Sequence, residues 1–264
     1  IAHYLYRFRG MTVLPEQIVI GSGSEQLYRI LIDLFGRQFI YGTENPGYPK
    51  IQHVIELSGA THVDLSLDEH GINLESLEKS NAEVVFLTPN HQFPTGIVMP
   101  IKRRIDVLKW VMSSSRRYIV EGDYDSELTD MNQPIPTLQT LDHQQKVIYI
   151  NTFSKTIAPV LRVAYMILPI PLLKKYHQYM ALGPCPVPLF DQMILMKFIE
   201  EGYFERHINR MRQIYKKRKE CLIKALIEAK IVQKDQIFDT GSGLHLLINI
   251  RILNQENAMI KAAY

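Results

Sequence analysis

EQIVI at residues 16–20, GSGS at 21–24 and LYRILIDLF at 27–35 read, in that order, as a short strand, a glycine turn and a buried helix. Working outward, further apolar runs of strand length appear at Val84–Leu87, Tyr118–Val120, Val147–Ile150 and Val163–Leu168, and a helical pattern covers Ile101–Met112. Strands alternating with helices predict an α/β fold with a mostly parallel central sheet covered on both faces. Such a sheet binds ligands outside the carboxyl ends of its strands.

From Pro188 onward the pattern changes to long helices, Asp191–Glu201 and Phe204–Ala229, and strands return at Leu244–Ile250 after Asp239-Thr240-Gly241-Ser242-Gly243. The change predicts a large domain over 1–175, with the first residues belonging to either unit, and connecting helices with part of a small α+β domain over 176–264. The chain opens inside a helical pattern, with Ile1, Leu5 and Phe8 on one face and Arg9-Gly10 as its stop. It closes inside another, Glu256–Ala263, so a fragment with an incomplete small domain is expected.

The 264 residues are 46% hydrophobic and 22% charged, a globular composition that excludes disordered and collagen-like classes. A net charge of +3 announces neither a nucleic-acid nor a membrane surface. Cys185 and Cys221 stand far apart and outside any CxxC or Cys/His cluster, which argues against a disulfide framework and a zinc site. With no apolar run of membrane-spanning length and no signal-peptide pattern, a cytoplasmic location is expected and no membrane partner.

Five polar, rigid segments could carry chemistry. Gly21–Gln26 offers helix N-terminal N–H groups to an anion, though it is neither a GxxxxGK loop nor a GxGxxG fingerprint, and a plain capped turn reads equally. Glu44–Lys50 presents Tyr48 from a tight turn, and Thr88–Gly96 holds His91 and Gln92 in a loop with two prolines. Glu121–Glu127 crowds four carboxylates into a solvated turn, a metal site or a charge partner for a cofactor. Asn151–Lys155 places a lysine at a strand end, either as a solvated loop residue or as a Schiff-base amine.

Taken together and in order, GSGSEQ, ENPGYPK, TPNHQFPTG, EGDYDSEL and NTFSKTIAPVLR resemble the fold-type I pyridoxal-phosphate aminotransferases. More narrowly, they resemble the aminotransferase-like domain of the MocR subfamily of GntR bacterial transcription regulators. The resemblance implies that Lys155 forms the Schiff base with pyridoxal 5'-phosphate. It implies that Gly23, Ser24 and Glu25 backbone groups, Thr152 or Ser154 hydroxyls and Arg162 hold the phosphate. Tyr48 would stack on the pyridine ring, Tyr124 would reach the ring hydroxyl, and His91 and Gln92 would meet the same edge. Asp123 would stand beside the ring nitrogen, and Lys50 would replace an arginine that binds an effector carboxylate.

One departure concerns Gly122, where relatives often carry the first of two aspartates; if Asp123 could not reach the ring, cofactor chemistry would suffer, or the cofactor would be lost altogether. The expected function is a cofactor-binding, effector-sensing domain that responds to an amine or amino acid, works as a homodimer, and meets DNA only through a winged-helix domain outside this chain. The alternative is a free-standing aminotransferase acting on an amino acid or amine. Two other signals are set aside. Asp239-Thr240-Gly241-Ser242 resembles the aspartic-protease tripeptide but lacks a second loop, and the basic run from Arg210 to Lys219 reads as a solvated helix face.

Overall fold

The computed structural model describes residues 1–129, 136–179, 183–239 and 244–249. Helix α1 (Ala2–Arg9) buries Tyr4 and Leu5 and ends where Gly10 turns left-handed, at φ 65°, returning its N–H to Tyr6. Strand β1 (Ile18–Gly21) runs into α2 (Ser24–Phe35) through Gly23, whose φ of 98° suits glycine alone. Next come β2 (Ile40–Asn45), α3 (Pro49–Leu57), β3 (Thr61–Asp68), β4 (Gly71–Ile72) and α4 (Leu74–Lys79), the last capped by the Asn73 side chain. Strand β5 (Val84–Leu87), α5 (Ile101–Met112), β6 (Tyr118–Asp123), α6 (Leu138–Leu141), β7 (Val147–Thr152) and β8 (Ala164–Ile167) complete the main sheet.

Its order is β1-β8-β7-β6-β5-β2-β3-β4. Strands β3, β2, β5, β6 and β7 are mutually parallel, while β8 lies antiparallel between β7 and β1. From β2 the chain steps outward to β3 and then crosses back to β5 on the other side. The order therefore reverses between β2 and β5, and a crevice opens there at the carboxyl ends.

Alternation along the strands sorts two cores. Val84 and Phe86 face α2 and α3, and Val85 and Leu87 face α5. Trp110 of α5 is buried in the second core, with the Arg117 guanidinium 4.4 Å above its ring. A third cluster joins α1 to Tyr149 and Tyr165 of the sheet and to α8 (Leu189–Glu200) and α9 (Tyr203–Glu228). Helix α7 (Ile170–Tyr179) and the two-stranded pair β9 (Ile237–Phe238) and β10 (Leu247–Ile248) complete the described elements.

Predicted helices at 27–35, 101–112, 191–201 and 204–229 correspond to α2, α5, α8 and α9. Strands β2 and β3 were not predicted: β2 carries Gly42, Thr43, Glu44 and Asn45, and β3 mixes Asp and Ser with its apolar residues, so neither is an apolar run. The predicted strand at 16–20 begins two residues later, because Pro15–Gln17 forms a single turn of 3-10 helix. The run predicted as strand over 244–250 pairs only at Leu247–Ile248, and Thr240–Gly243 and the 256–263 helix lie outside the described residues. Both cysteines are free and exposed, and among the described residues no helix is long and apolar enough to cross a membrane. The basic face of α9 is largely solvated, though Arg212 donates to the Glu127 carbonyl at 2.6 Å and Lys219 pairs with Asp239 at 3.0 Å.

Candidate functional site

A cavity of about 280 Å³ sits at the strand-order reversal. Ser24 after β1, Tyr48 after β2, Thr88 after β5, Asp123 at the end of β6 and Lys155 after β7 all line it, so four predicted strand ends and one unpredicted strand meet in one place.

Asp123 has the most constrained carboxylate. It is 3% exposed, and its Oδ2 accepts from Arg9 at 2.5 Å, Tyr149 at 2.6 Å and Ser126 at 2.9 Å. Its Oδ1 is buried without a hydrogen-bond partner among the described residues. A carboxylate oxygen left bare beside a cavity is an acceptor waiting for a ligand N–H, since burying it unpaired costs about 1–3 kcal/mol. Gly122 also lines the cavity, and a Cβ there would come within 3.3 Å of Thr88 Cγ2. The missing first aspartate thus leaves Asp123 in reach of the cavity.

Tyr124 lines the same wall. Burial, then Asp125, Asp123 and Glu44, push its phenol far above the usual range, so it stays a proton donor. Its hydroxyl lies 3.0 Å from His91 Nδ1, which is also 2.8 Å from the Asp125 carboxylate. Nδ1 thus sits between the Asp125 carboxylate and the Tyr124 hydroxyl. The His91 ring lies against that of His245, centroids 4.2 Å apart and tilted by 32°, and burial, then His91 and Lys155, push the His245 pKa down against the opposing pull of Asp125. His91, Asp125 and His245 offer ligand-type atoms within 4.8 Å of one another; Asp125 is bonded to His91 Nδ1, while His91 Nε2 and His245 Nε2 are buried without a hydrogen-bond partner among the described residues.

At the opposite end, an ideal Cβ on Gly23 would fall 2.3 Å from Arg162 Nη2. Only glycine lets this guanidinium lie against the first turn of α2, where N–H groups lack intrahelical partners. Cation, helix N-terminus and the Ser24 side chain together form an anion cradle.

The loop between these ends is fixed from behind. Arg104 is fully buried and donates to Met99 O at 2.9 Å, Pro89 O at 2.8 Å and Asn90 Oδ1 at 2.9 Å. Glu44 accepts from the Thr88 backbone at 3.0 Å and hydroxyl at 2.7 Å, and burial, only partly offset by those bonds, pushes its carboxyl up to about 7.

Several predicted contacts turn elsewhere. Gln92 Nε2 donates to Pro46 O and Phe93 O while its Oε1 accepts from Thr95, so it braces the loop, and Phe93 lines the cavity in its stead. Ser154 Oγ donates to Leu161 O at 2.7 Å, outside the cavity wall, whereas Thr152 lines it. The Glu25 side chain pairs with Arg29 on the surface, leaving only its backbone near the cradle. Lys50 is exposed on α3 and is not part of the wall. His91 acts through its neighbours and does not line the wall. Sequence reasoning missed Arg9 and His245. A polar residue inside the apolar run LHLLI was the available signal for His245, and for Arg9 its place four residues after buried Leu5.

The family model for aminotransferase class I and II matches residues 1–251. The chain belongs to the class I and II aminotransferase family. Among relatives of this class I/II domain, the uncharacterized HTH-type transcriptional regulator YdeL of Bacillus subtilis is 38% identical over all of the chain and 56% of the regulator. The probable rhizopine catabolism regulatory protein MocR of Rhizobium meliloti is 31% identical over all of the chain and 53% of that protein. The chain thus spans about half the length of these regulators. Pyrococcus horikoshii kynurenine aminotransferase superposes with a TM-score of 0.85 at 24% identity, covering 99% of the chain and 67% of the enzyme, a likeness of fold alone. Family membership indicates pyridoxal 5'-phosphate as cofactor, and the bare oxygen of Asp123 and the Gly23–Arg162 cradle beside Ser24, two residues that line the cavity, fit its ring nitrogen and its phosphate.

Proposed function

We propose that this chain is the pyridoxal-phosphate-binding, effector-sensing domain of a GntR/MocR-type regulator, with a cofactor-binding unit over 1–175 and connecting helices with part of a small domain over 176–264. The observation that carries the reading is the unpartnered Asp123 Oδ1 in a cavity shared with Lys155. When bound, the cofactor supplies a protonated pyridine ring that acts as an electron sink. Lys155 would supply the amine that holds its aldehyde carbon. Asp123 Oδ1 would accept the ring N–H, the Tyr124 phenol would donate to the ring hydroxyl, and Tyr48 would cover one face. Backbone N–H groups of Gly23, Ser24 and Glu25 join Arg162 and Thr152 on the phosphate.

In this reading the effector is a small amine or amino acid, the working unit is a homodimer, and DNA is met through a separate domain. Exchange of the effector onto the site shifts the population of two domain arrangements. The regulator relatives, matched over the whole chain, favour this over a free-standing aminotransferase, which the same residues would also serve.

The visible spectrum of the protein with added pyridoxal phosphate, before and after borohydride, is the test. Wild type is expected to show a Schiff-base band and to be trapped irreversibly, and Lys155→Ala to show neither. If wild type and variant look alike and neither is trapped, the assignment fails. Turnover of an amine donor and keto acid at enzyme-like rates would shift the reading to the aminotransferase.

A further inference from the structure

Behind Asp123 lies a buried polar network that the proposed cofactor contacts do not use. Arg9, the last residue of α1, reaches Asp123 Oδ2 with a side chain 6% exposed. Tyr149 bridges the same oxygen to Asn151, which donates to Glu127 Oε1 at 3.0 Å. The Tyr4 hydroxyl, also on α1, donates to that Glu127 oxygen at 2.5 Å. Helix α1 is thus fixed to the floor of the cavity at two points, and only one of them, Arg9, is a cation.

We propose that Arg9 is a positioning residue that turns the Asp123 carboxylate so that Oδ1 is left free to accept from the cofactor's ring nitrogen, linking the seating of α1 to recognition of that nitrogen. This rests on the proposed cofactor site. Three donors gather on Oδ2 and leave Oδ1 bare, so the carboxylate presents one oxygen in one direction. Arg9 is the only charged donor among those three. Burial works against its charge, yet Asp123, with Tyr149 and Glu127 behind it, outweighs that and keeps the guanidinium protonated. A neutral residue in its place would leave only the Tyr149 and Ser126 hydroxyls on Oδ2, so the carboxylate is no longer held with Oδ1 free for the ring. By reciprocity, a ligand that binds Oδ1 favours the carboxylate orientation that receives Arg9, and so favours docked α1.

The test compares pyridoxal phosphate with its 1-deaza analogue, in which C–H replaces the ring nitrogen, as ligands of the full-length protein. Both carry the aldehyde and phosphate, so Lys155 and the anion cradle treat them alike. Wild type is expected to bind pyridoxal phosphate more tightly than the analogue; Arg9→Met is expected to shrink that preference about tenfold, and Arg9→Lys to retain most of it. Equal losses for both ligands in Arg9→Met, or an unchanged preference, would overturn the inference. Should Arg9→Met not fold, amide exchange across residues 2–9 of the wild type decides. Pyridoxal phosphate is expected to slow it more than the analogue does, and identical protection refutes the link. Wild-type protein that binds neither ligand overturns the proposed site, and this inference with it.

Discussion

Thr88 is held in place by its hydroxyl bond to Glu44, and its Cγ2 stands over Gly122. A Cβ at position 122 would meet that methyl at 3.3 Å, and the methyl cannot rotate away without breaking the Glu44 bond. Gly122→Ala is therefore expected to lose about 1–3 kcal/mol of stability by overpacking. Urea denaturation checks this, and an unchanged midpoint would show that Thr88 gives way freely. The same reasoning explains why a glycine here is compatible with a cofactor site. In the proposed site the carboxylate role falls on Asp123, which lines the cavity and has an unpartnered Oδ1, and the position before it is a packing position.

At the scale of elements, the first turn of α2 and Arg162 form one device. Gly23→Ala brings a left-handed backbone penalty of about 1–3 kcal/mol and pushes the guanidinium off the helix end. The expected outcome is a loss of preference for pyridoxal phosphate over unphosphorylated pyridoxal, measured as a ratio of affinities; a variant that keeps the wild-type ratio would remove Gly23 and Arg162 from phosphate recognition. The elements that build this end were legible in sequence, because β1 is apolar and α2 repeats its buried face through Leu27, Leu31 and Leu34. Strand β2 was not, since Glu44, which braces the neighbouring loop through Thr88, and Thr43, bonded to His62 of β3, replace the apolar pattern that announces an inner strand. Cavity-lining residues were legible where they follow a strand in a rigid segment, as with Tyr48, Asp123, Tyr124 and Lys155. Arg9 and His245 come from far along the chain in both directions, and only folding brings Arg9 behind Asp123 and His245 to the cavity wall. Gln92 and Ser154 look identical to ligand-binding residues in sequence; what separates them is the backbone carbonyl each side chain meets.

For the molecule as a whole, two buried carboxyls tie stability to pH. Burial pushes both Glu44 and Glu121 up to about 7, against hydrogen bonds from Thr88 in one case and the Arg104 charge and α6 N–H groups in the other. Their folded values lie above the unfolded value near 4.5, so the folded chain binds the extra protons. Each contribution is complete below about pH 4.5, fades as pH rises through 7, and amounts to about 3 kcal/mol at its fullest. Urea midpoints are expected to fall between about pH 5 and 8, with Glu44→Gln flattening part of that slope; a midpoint that climbs over this window would contradict the assignment.

The chain holds a single tryptophan, Trp110, on α5 in the core on the far side of the sheet from α2. Its fluorescence therefore reports the packing beneath α5, while the colour of a bound cofactor reports the crevice at the strand ends. One sample carries two independent clocks for unfolding. Melting curves that coincide would describe one cooperative body, and curves that separate would reveal a crevice that opens before its scaffold gives way.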